Sequence, residues 1–230
     1  MSRVVSSKSS TILPIVFKLN SEFKVILGST SPRRKELLAQ MGFEAFNVRA
    51  SNFAEDLDHS LYPIPSQYCL ATASKKVESV VEAVGQLQEK TLIIGSDTIV
   101  EIDGKILEKP TDAFDSANML SLLNNRDHFV HTAVVAYANS VDLNSSSHTS
   151  TMKPIISFVE TTKVNFCDLS ESDIAAYVEL GEGMDKAGSY GIQGAGSVLV
   201  RSIEGCYFNV MGLPVHALSR ELAKAFAGQV

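Results

Sequence analysis

The chain has 230 residues, 45% of them hydrophobic and 20% charged, with a net charge of −6 and three cysteines. That length suffices for one sizeable core. The acidic balance excludes the basic face that broad nucleic-acid binding needs, and no apolar run approaches the roughly 18–20 residues of a membrane span.

Residues 1–22 are rich in serine and carry Arg3, Lys8 and Lys18 before the first acid, Glu22. This composition predicts a disordered tail ahead of a single domain over residues 23–230. Phe23 to Leu27 reads as a strand buried on both faces. Ser31 is placed to cap a helix with Pro32 at its first position, and Gly42 to end it. The junction between them, Gly28-Ser29-Thr30-Ser31-Pro32-Arg33-Arg34, suits an oligophosphate: backbone N–H groups attract negative charge, and guanidinium forks grip phosphate oxygens. Two cations in a helix's first turn oppose its dipole, and an anion would offset that repulsion. Ser29 and Ser31 add hydroxyl donors or serve as local caps.

A loop from about Ser51 to Pro65 carries Glu55, Asp56 and Asp58. Ser66 to Val84 is amphipathic, with Leu70, Ala73, Val77, Val80, Val81 and Val84 at helical spacing and Lys75 and Lys76 off that stripe. Thr91 to Val100 reads as a central strand, followed by an Asp103-Gly104 hairpin turn into Lys105–Leu107. Within the strand, Asp97 sits in an apolar context. A buried carboxylate without a partner is costly, so it is either a satisfied structural group or a catalytic one. As a functional group it is a metal ligand, a general base, or both. Lys109, beyond the hairpin, is placed to return toward Asp97 and neutralise it.

Thr111 or Asp112 caps a further helix to about Leu123, and Phe129 to Tyr137 forms another strand. His128 and His131, three apart in that strand, point to opposite faces and read as structural or exposed. A polar segment from Asn139 to Ser150 reads as a surface loop. Ile155 to Phe166 supplies one or two strands, and Ser170-x-x-Asp173 is a capping-box signal for a helix to about Leu180. Eight of the fourteen glycines then fall between Gly181 and Gly212. That density permits close backbone approach to a ligand. Asp185-Lys186 opens this glycine-rich loop, and Gln193 offers a planar amide that can read a base edge or satisfy a turn. Pro214 opens the last helix. Strands and helices interleave without a regular βαβ rhythm, which predicts an α/β fold with a mixed sheet. Cys69, Cys167 and Cys206 stand far apart, as reduced core thiols would in a cytoplasmic protein.

Taken jointly, Ser29-x-Ser31-Pro32-Arg33-Arg34-x-Glu36-Leu37-Leu38, Gly95-Ser96-Asp97-Thr98, Leu107-Glu108-Lys109-Pro110, Gly181-Glu182 followed by Asp185-Lys186-Ala187-Gly188-x-Tyr190-Gly191-Ile192-Gln193-Gly194, and Gly212-Leu213-Pro214 resemble the Maf family of nucleoside triphosphate pyrophosphatases. The resemblance runs from about Phe23 to the C-terminus. It implies a Maf/ITPase-like mixed sheet flanked by helices, with two lobes around a deep cleft, commonly in a homodimer. The implied reaction is metal-dependent hydrolysis of a nucleotide between the α and β phosphates.

By position, Asp97 matches the family's catalytic carboxylate. Ser29, Arg34, Glu55, Lys76 and Lys109 fall where the family has substrate- or metal-contacting side chains, with Glu55 and Asp97 as the metal pair for Mg²⁺ or Mn²⁺. Lys186 joins the substrate-binding set. Arg33, Thr98 and Gln193 match the branch acting on dTTP and UTP rather than the branch acting on 7-methyl-GTP. A pyrophosphatase for 7-methyl-GTP or other modified nucleotides, and a nucleotide-binding regulator without turnover, are the competing readings.

Overall fold

A computed structural model describes residues 13–85, 89–139 and 151–227. Seven strands form one mixed sheet: β1 (Lys24–Leu27), β2 (Phe46–Val48), β3 (Thr91–Ile102), β4 (Lys105–Leu107), β5 (Asp127–Ala138), β6 (Lys153–Phe166) and β7 (Val200–Glu204). Their order is β2-β1-β3-β5-β6-β7, with β4 also on β3. β1 runs parallel to β2 and β3, and the remaining pairings are antiparallel. The expected α/β fold with a mixed sheet is therefore present. β2 has three residues, too few for alternation to mark a strand, and β7 does not alternate.

Side-chain alternation along β3 divides the core. Ile93 and Ile99 face the helix α3 (Pro65–Val84), together with Ile26, Ala133 and Val135. On the opposite face Leu92 and Ile94 pack with α1 (Pro14–Glu22), α2 (Pro32–Gln40) and α7 (Val215–Ala225). Further along that same face, Val100 and Ile102 pack with α4 (Ala113–Leu123) and α5 (Glu171–Glu179). The helix α6 (Tyr207–Met211) completes the set.

Local signals set several boundaries. Pro32 stands at the start of α2, and Asp112 caps α4 through its side chain. Ser170 and Asp173 form a reciprocal capping box on α5. Asp103 and Gly104 both take positive φ, 53° and 75°, as a two-residue hairpin turn requires.

The tail expected over residues 1–22 is corrected at its end. Pro14 to Glu22 form α1, which buries Ile15, Val16 and Leu19 against the core. Asn20 Nδ2 donates to the Gly42 carbonyl at 2.8 Å, and Phe23 meets Phe226 edge to face at 5.3 Å. Three apolar residues on one side of two turns suffice once a partner surface exists, whatever the serine content around them. Residues 1–12, and residues 140–150 of the expected surface loop, lie outside the described residues.

Candidate active site

The sheet has a split edge, and the candidate site occupies it. β1 pairs with β3 only from Thr91 to Ile94, and the last bond on that side runs from Gly28 N–H to the Ile94 carbonyl at 2.8 Å. β4 joins the same edge only at Val100. Between them β3 has no strand neighbour on that side, and a cavity of about 640 Å³ opens there. A crevice beyond the carboxyl end of parallel strands is a common ligand position in open α/β sheets.

Asp97 lies in this gap and is paired through its other edge with Ala133 of β5. Its side chain takes the face covered by α3, where Lys76 Nζ donates to Asp97 Oδ1 at 2.6 Å. Lys76 also bonds Glu55 Oε2, so one ammonium bridges two carboxylates. Two sequence expectations change here. Lys76 does not lie off the apolar stripe of α3: it is buried beside Val77 and Val80. The charge opposite Asp97 is Lys76 rather than Lys109, which lines the same cavity farther along. Gly95 allows this approach, because a Cβ there would meet Val77 Cγ2 at 2.4 Å and hold α3 away from β3. Glu55 takes a positive φ of 56°, uncommon for a non-glycine residue and frequent where function fixes a backbone.

On the other face of β3, Arg34 is held by three acceptors. Its Nε donates to the Gly212 carbonyl at 2.9 Å, its Nη2 to Thr98 Oγ1 at 3.0 Å and its Nη1 to Ser29 Oγ at 3.3 Å. Ser96 Oγ donates to the same Gly212 carbonyl at 3.1 Å. Desolvation, partly offset by the Asp97 charge, holds the Arg34 guanidinium below its usual pKa. It remains charged, since arginine titrates far above neutrality. Arg33 reaches across the cavity to Asp185, Nη1 to Oδ2 at 3.5 Å. Lys186 Nζ donates to Asp185 Oδ1 at 2.6 Å. Burial pushes the Asp185 carboxyl up, but Lys186 and Arg33 outweigh it and leave the net pKa lowered.

The cavity is thus lined by every residue that the sequence nominated: Ser29, Arg33, Arg34, Glu55, Lys76, Asp97, Thr98, Lys109, Lys186 and Gln193. Sequence reasoning placed Glu182 only within the Gly181-Glu182 motif and gave it no role; its carboxylate organises the glycine-rich wall. Tyr190 likewise stood in a motif without a role; it lines the cavity, packs on Phe166 and bonds His128 Nε2 at 2.7 Å. His128 and His131 do point to opposite faces, and both are buried.

A divalent cation fits the donor set at Asp97. Glu55 and Asp97 present hard carboxylate oxygens that already converge on one cation, the Lys76 ammonium. Mg²⁺ commonly takes one or two carboxylates and completes its shell with phosphate oxygens and water. Among the described residues, no group of three or more His, Cys, Asp and Glu side chains gathers as a metal site. Such a cation would therefore draw most of its ligands from substrate and solvent.

A family model described as Maf-like protein matches residues 24–225. A human protein named "Probable bifunctional dTTP/UTP pyrophosphatase/methyltransferase protein" is 40% identical over 218 residues, 94% of this chain, which spans only 34% of that relative's length. The dTTP/UTP pyrophosphatase of Bacillus pumilus is 41% identical over 86% of this chain and 95% of its own. That of Shewanella denitrificans is 43% identical over 83% and 90%.

Proposed function

The chain belongs to the family of Maf-like proteins, and on that premise we propose that it hydrolyses dTTP and UTP to the nucleoside monophosphate and pyrophosphate. One observation carries this reading. A single cavity collects Arg33, Arg34, Lys76, Lys109 and Lys186. It also takes in Glu55, Asp97, Glu108, Glu182 and Asp185, of which only Asp97 is buried, so five cations balance five acids there in a chain whose net charge is −6. Arg34 in that cavity donates to neutral acceptors, so its charge is left for a polyanion, and a nucleoside triphosphate carries about four negative charges at neutral pH. Relatives that this chain covers almost end to end are named for the same substrates.

The chain's own groups divide the work. Arg34, fixed by Gly212, Ser29 and Thr98, presents an oriented guanidinium at the start of α2. Arg33 and Lys109 stabilise the growing charge on the departing pyrophosphate. Preorganised cations of this kind supply much of the acceleration in phosphoryl transfer. Lys76 holds Asp97 Oδ1 and so orients the carboxylate. Asp97 Oδ2 then accepts a proton from the water that attacks the α-phosphorus. Glu55 and Asp97 would hold a Mg²⁺ or Mn²⁺ ion, which supplies charge neutralisation at the phosphates when bound. On the same footing we place the protein in the cytoplasm as a homodimer; light scattering reads the assembly directly. No helix among the described residues is long and apolar enough to cross a membrane.

The test is product analysis with dTTP, UTP, CTP and 7-methyl-GTP in Mg²⁺ or Mn²⁺ and ¹⁸O-water. UTP and dTTP are expected to yield pyrophosphate, with the label in the monophosphate. Release of orthophosphate, or preference for 7-methyl-GTP, overturns the assignment.

A further inference from the structure

The segment from Glu182 to Gly196 places Lys186 and Gln193 along one wall of the cavity. It contains no strand, only 3-10 turns over Ala187–Ser189 and from Gly194 onward. A stretch so poor in ladder hydrogen bonds needs another source of order. Much of it comes from one carboxylate. Glu182 Oε1 accepts from the Tyr177 hydroxyl and from the Gly196 amide, both at 3.0 Å, and Oε2 accepts from the Ala195 amide at 2.9 Å. The Glu182 carbonyl accepts from Lys186 Nζ. The Tyr177 hydroxyl in turn accepts from the Gly191 amide at 3.2 Å. One carboxylate and one phenol thereby tie down the backbone on both sides of Gln193.

The chemistry at this point admits no other side chain easily. A carboxylate is acceptor-only, so it can receive two amides and a hydroxyl at once. A glutamine there would turn its NH₂ group toward a backbone N–H, and an aspartate is one methylene too short. The fit is close. A Cβ on Gly194, whose φ is +63°, would approach Glu182 Oε2 to 2.6 Å. Burial raises the Glu182 pKa, but the amides of Gly196 and Ala195, Tyr177 and Lys186 outweigh it and lower the net value, which keeps the acceptor ionised. The bonds that fix Arg34, and those that hold Asp97 and Lys76, do not include Glu182.

We propose that Glu182 is a positioning residue for the nucleoside end of the substrate: it fixes residues 183–196 so that Gln193 meets the base, and it takes no part in the chemistry at the phosphates. This inference rests on the nucleotide-hydrolysing reading of the cavity. Two probes separate the ends, UMP for the nucleoside and inorganic tripolyphosphate for the phosphate chain, each titrated by calorimetry against wild type, Glu182→Gln and Tyr177→Phe. The expected result is a roughly tenfold loss of UMP affinity in Glu182→Gln and a smaller loss in Tyr177→Phe, with tripolyphosphate affinity held or improved. In turnover the KM for UTP rises by a similar factor while kcat changes little. A merely structural role would weaken both probes together, and that outcome, or no change for either, overturns the proposal. Should Glu182→Gln fail to fold, Tyr177→Phe decides alone. A wild type that binds both probes yet releases no pyrophosphate sinks the proposed function, while the binding contrast still decides the role of Glu182.

Discussion

The two ends of the cavity are ordered by different means. Where β1 passes into α2, the chain is fixed by regular structure: parallel pairing of β1 with β3, then a helix started by Pro32, with Arg34 bonded into the Gly212 carbonyl. The glycine-rich wall from Glu182 to Gly196 has short turns instead, and it is held by side chains, Glu182 at its start, Tyr177 from α5 and His128 behind Tyr190. The first end draws its rigidity from backbone bonds shared with the sheet. At the second, a few substitutions are enough to remove the order. This contrast suits a reaction in which the phosphate geometry is common to all nucleotides and only the base distinguishes them.

The contrast can be broken at four places. The largest effect is expected at the first end. Asp97→Asn keeps the fold, because the amide can still meet Lys76 sterically, but turnover falls at least ~100-fold, the scale for losing a positioned general base. Pyrophosphate release with a parallel melting curve checks this, and near-normal turnover removes Asp97 from the mechanism.

A pH effect comes next, and it acts on the second end. Burial lowers the His128 pKa from 6.5 to about 4, so the ring stays neutral against Tyr190 and Phe166. Its folded-state pKa is depressed, so the unfolded chain binds the proton first as the pH falls below 6.5. Stability is then fully present above that value and declines toward pH 4, by up to about 3 kcal/mol. Denaturant midpoints across this window should fall steeply for wild type and less for His128→Gln, and parallel curves would refute the assignment.

Arg34→Met removes a guanidinium that satisfies Gly212, Ser29 and Thr98. Leaving such acceptors unpaired costs about 1–3 kcal/mol, and kcat/KM should drop roughly 10- to 100-fold with the loss shared by all nucleotides. A loss confined to one base would contradict the division of labour. The smallest effect is a control remote from both ends. Ser170→Ala dissolves the capping box of α5 and lowers stability by about 1 kcal/mol with turnover unchanged.

Much of the site was legible because its signals are local. A proline after the serine at a helix start, whose side chain makes no capping bond, two arginines against a helix dipole and an acid inside an apolar strand each announce themselves within a few residues. The hairpin at Asp103-Gly104 and the capping box at Ser170 were legible for the same reason. Lys76 was misjudged because periodicity counts apolar residues, and a lysine aimed at a buried acid looks like a solvated one. The helix α1 was missed because its three apolar residues gain stability only against the core that receives them. Glu182 entered only as part of a motif and its role was not legible, since its partners Ala195 and Gly196 lie more than ten residues away in the chain.

The order of residues alone thus settled the mixed α/β class, the strand-to-helix junction with its serines and arginines, and the acid inside an apolar strand, all of which depend on short-range backbone chemistry. Tertiary folding decided that β1 and β4 leave a gap in one edge of β3, that α3 turns Lys76 inward to meet both carboxylates, and that a single glutamate closes the glycine-rich wall. These are pairings between distant segments. They arise because buried charges and unpaired amides must find partners wherever the packed chain brings them.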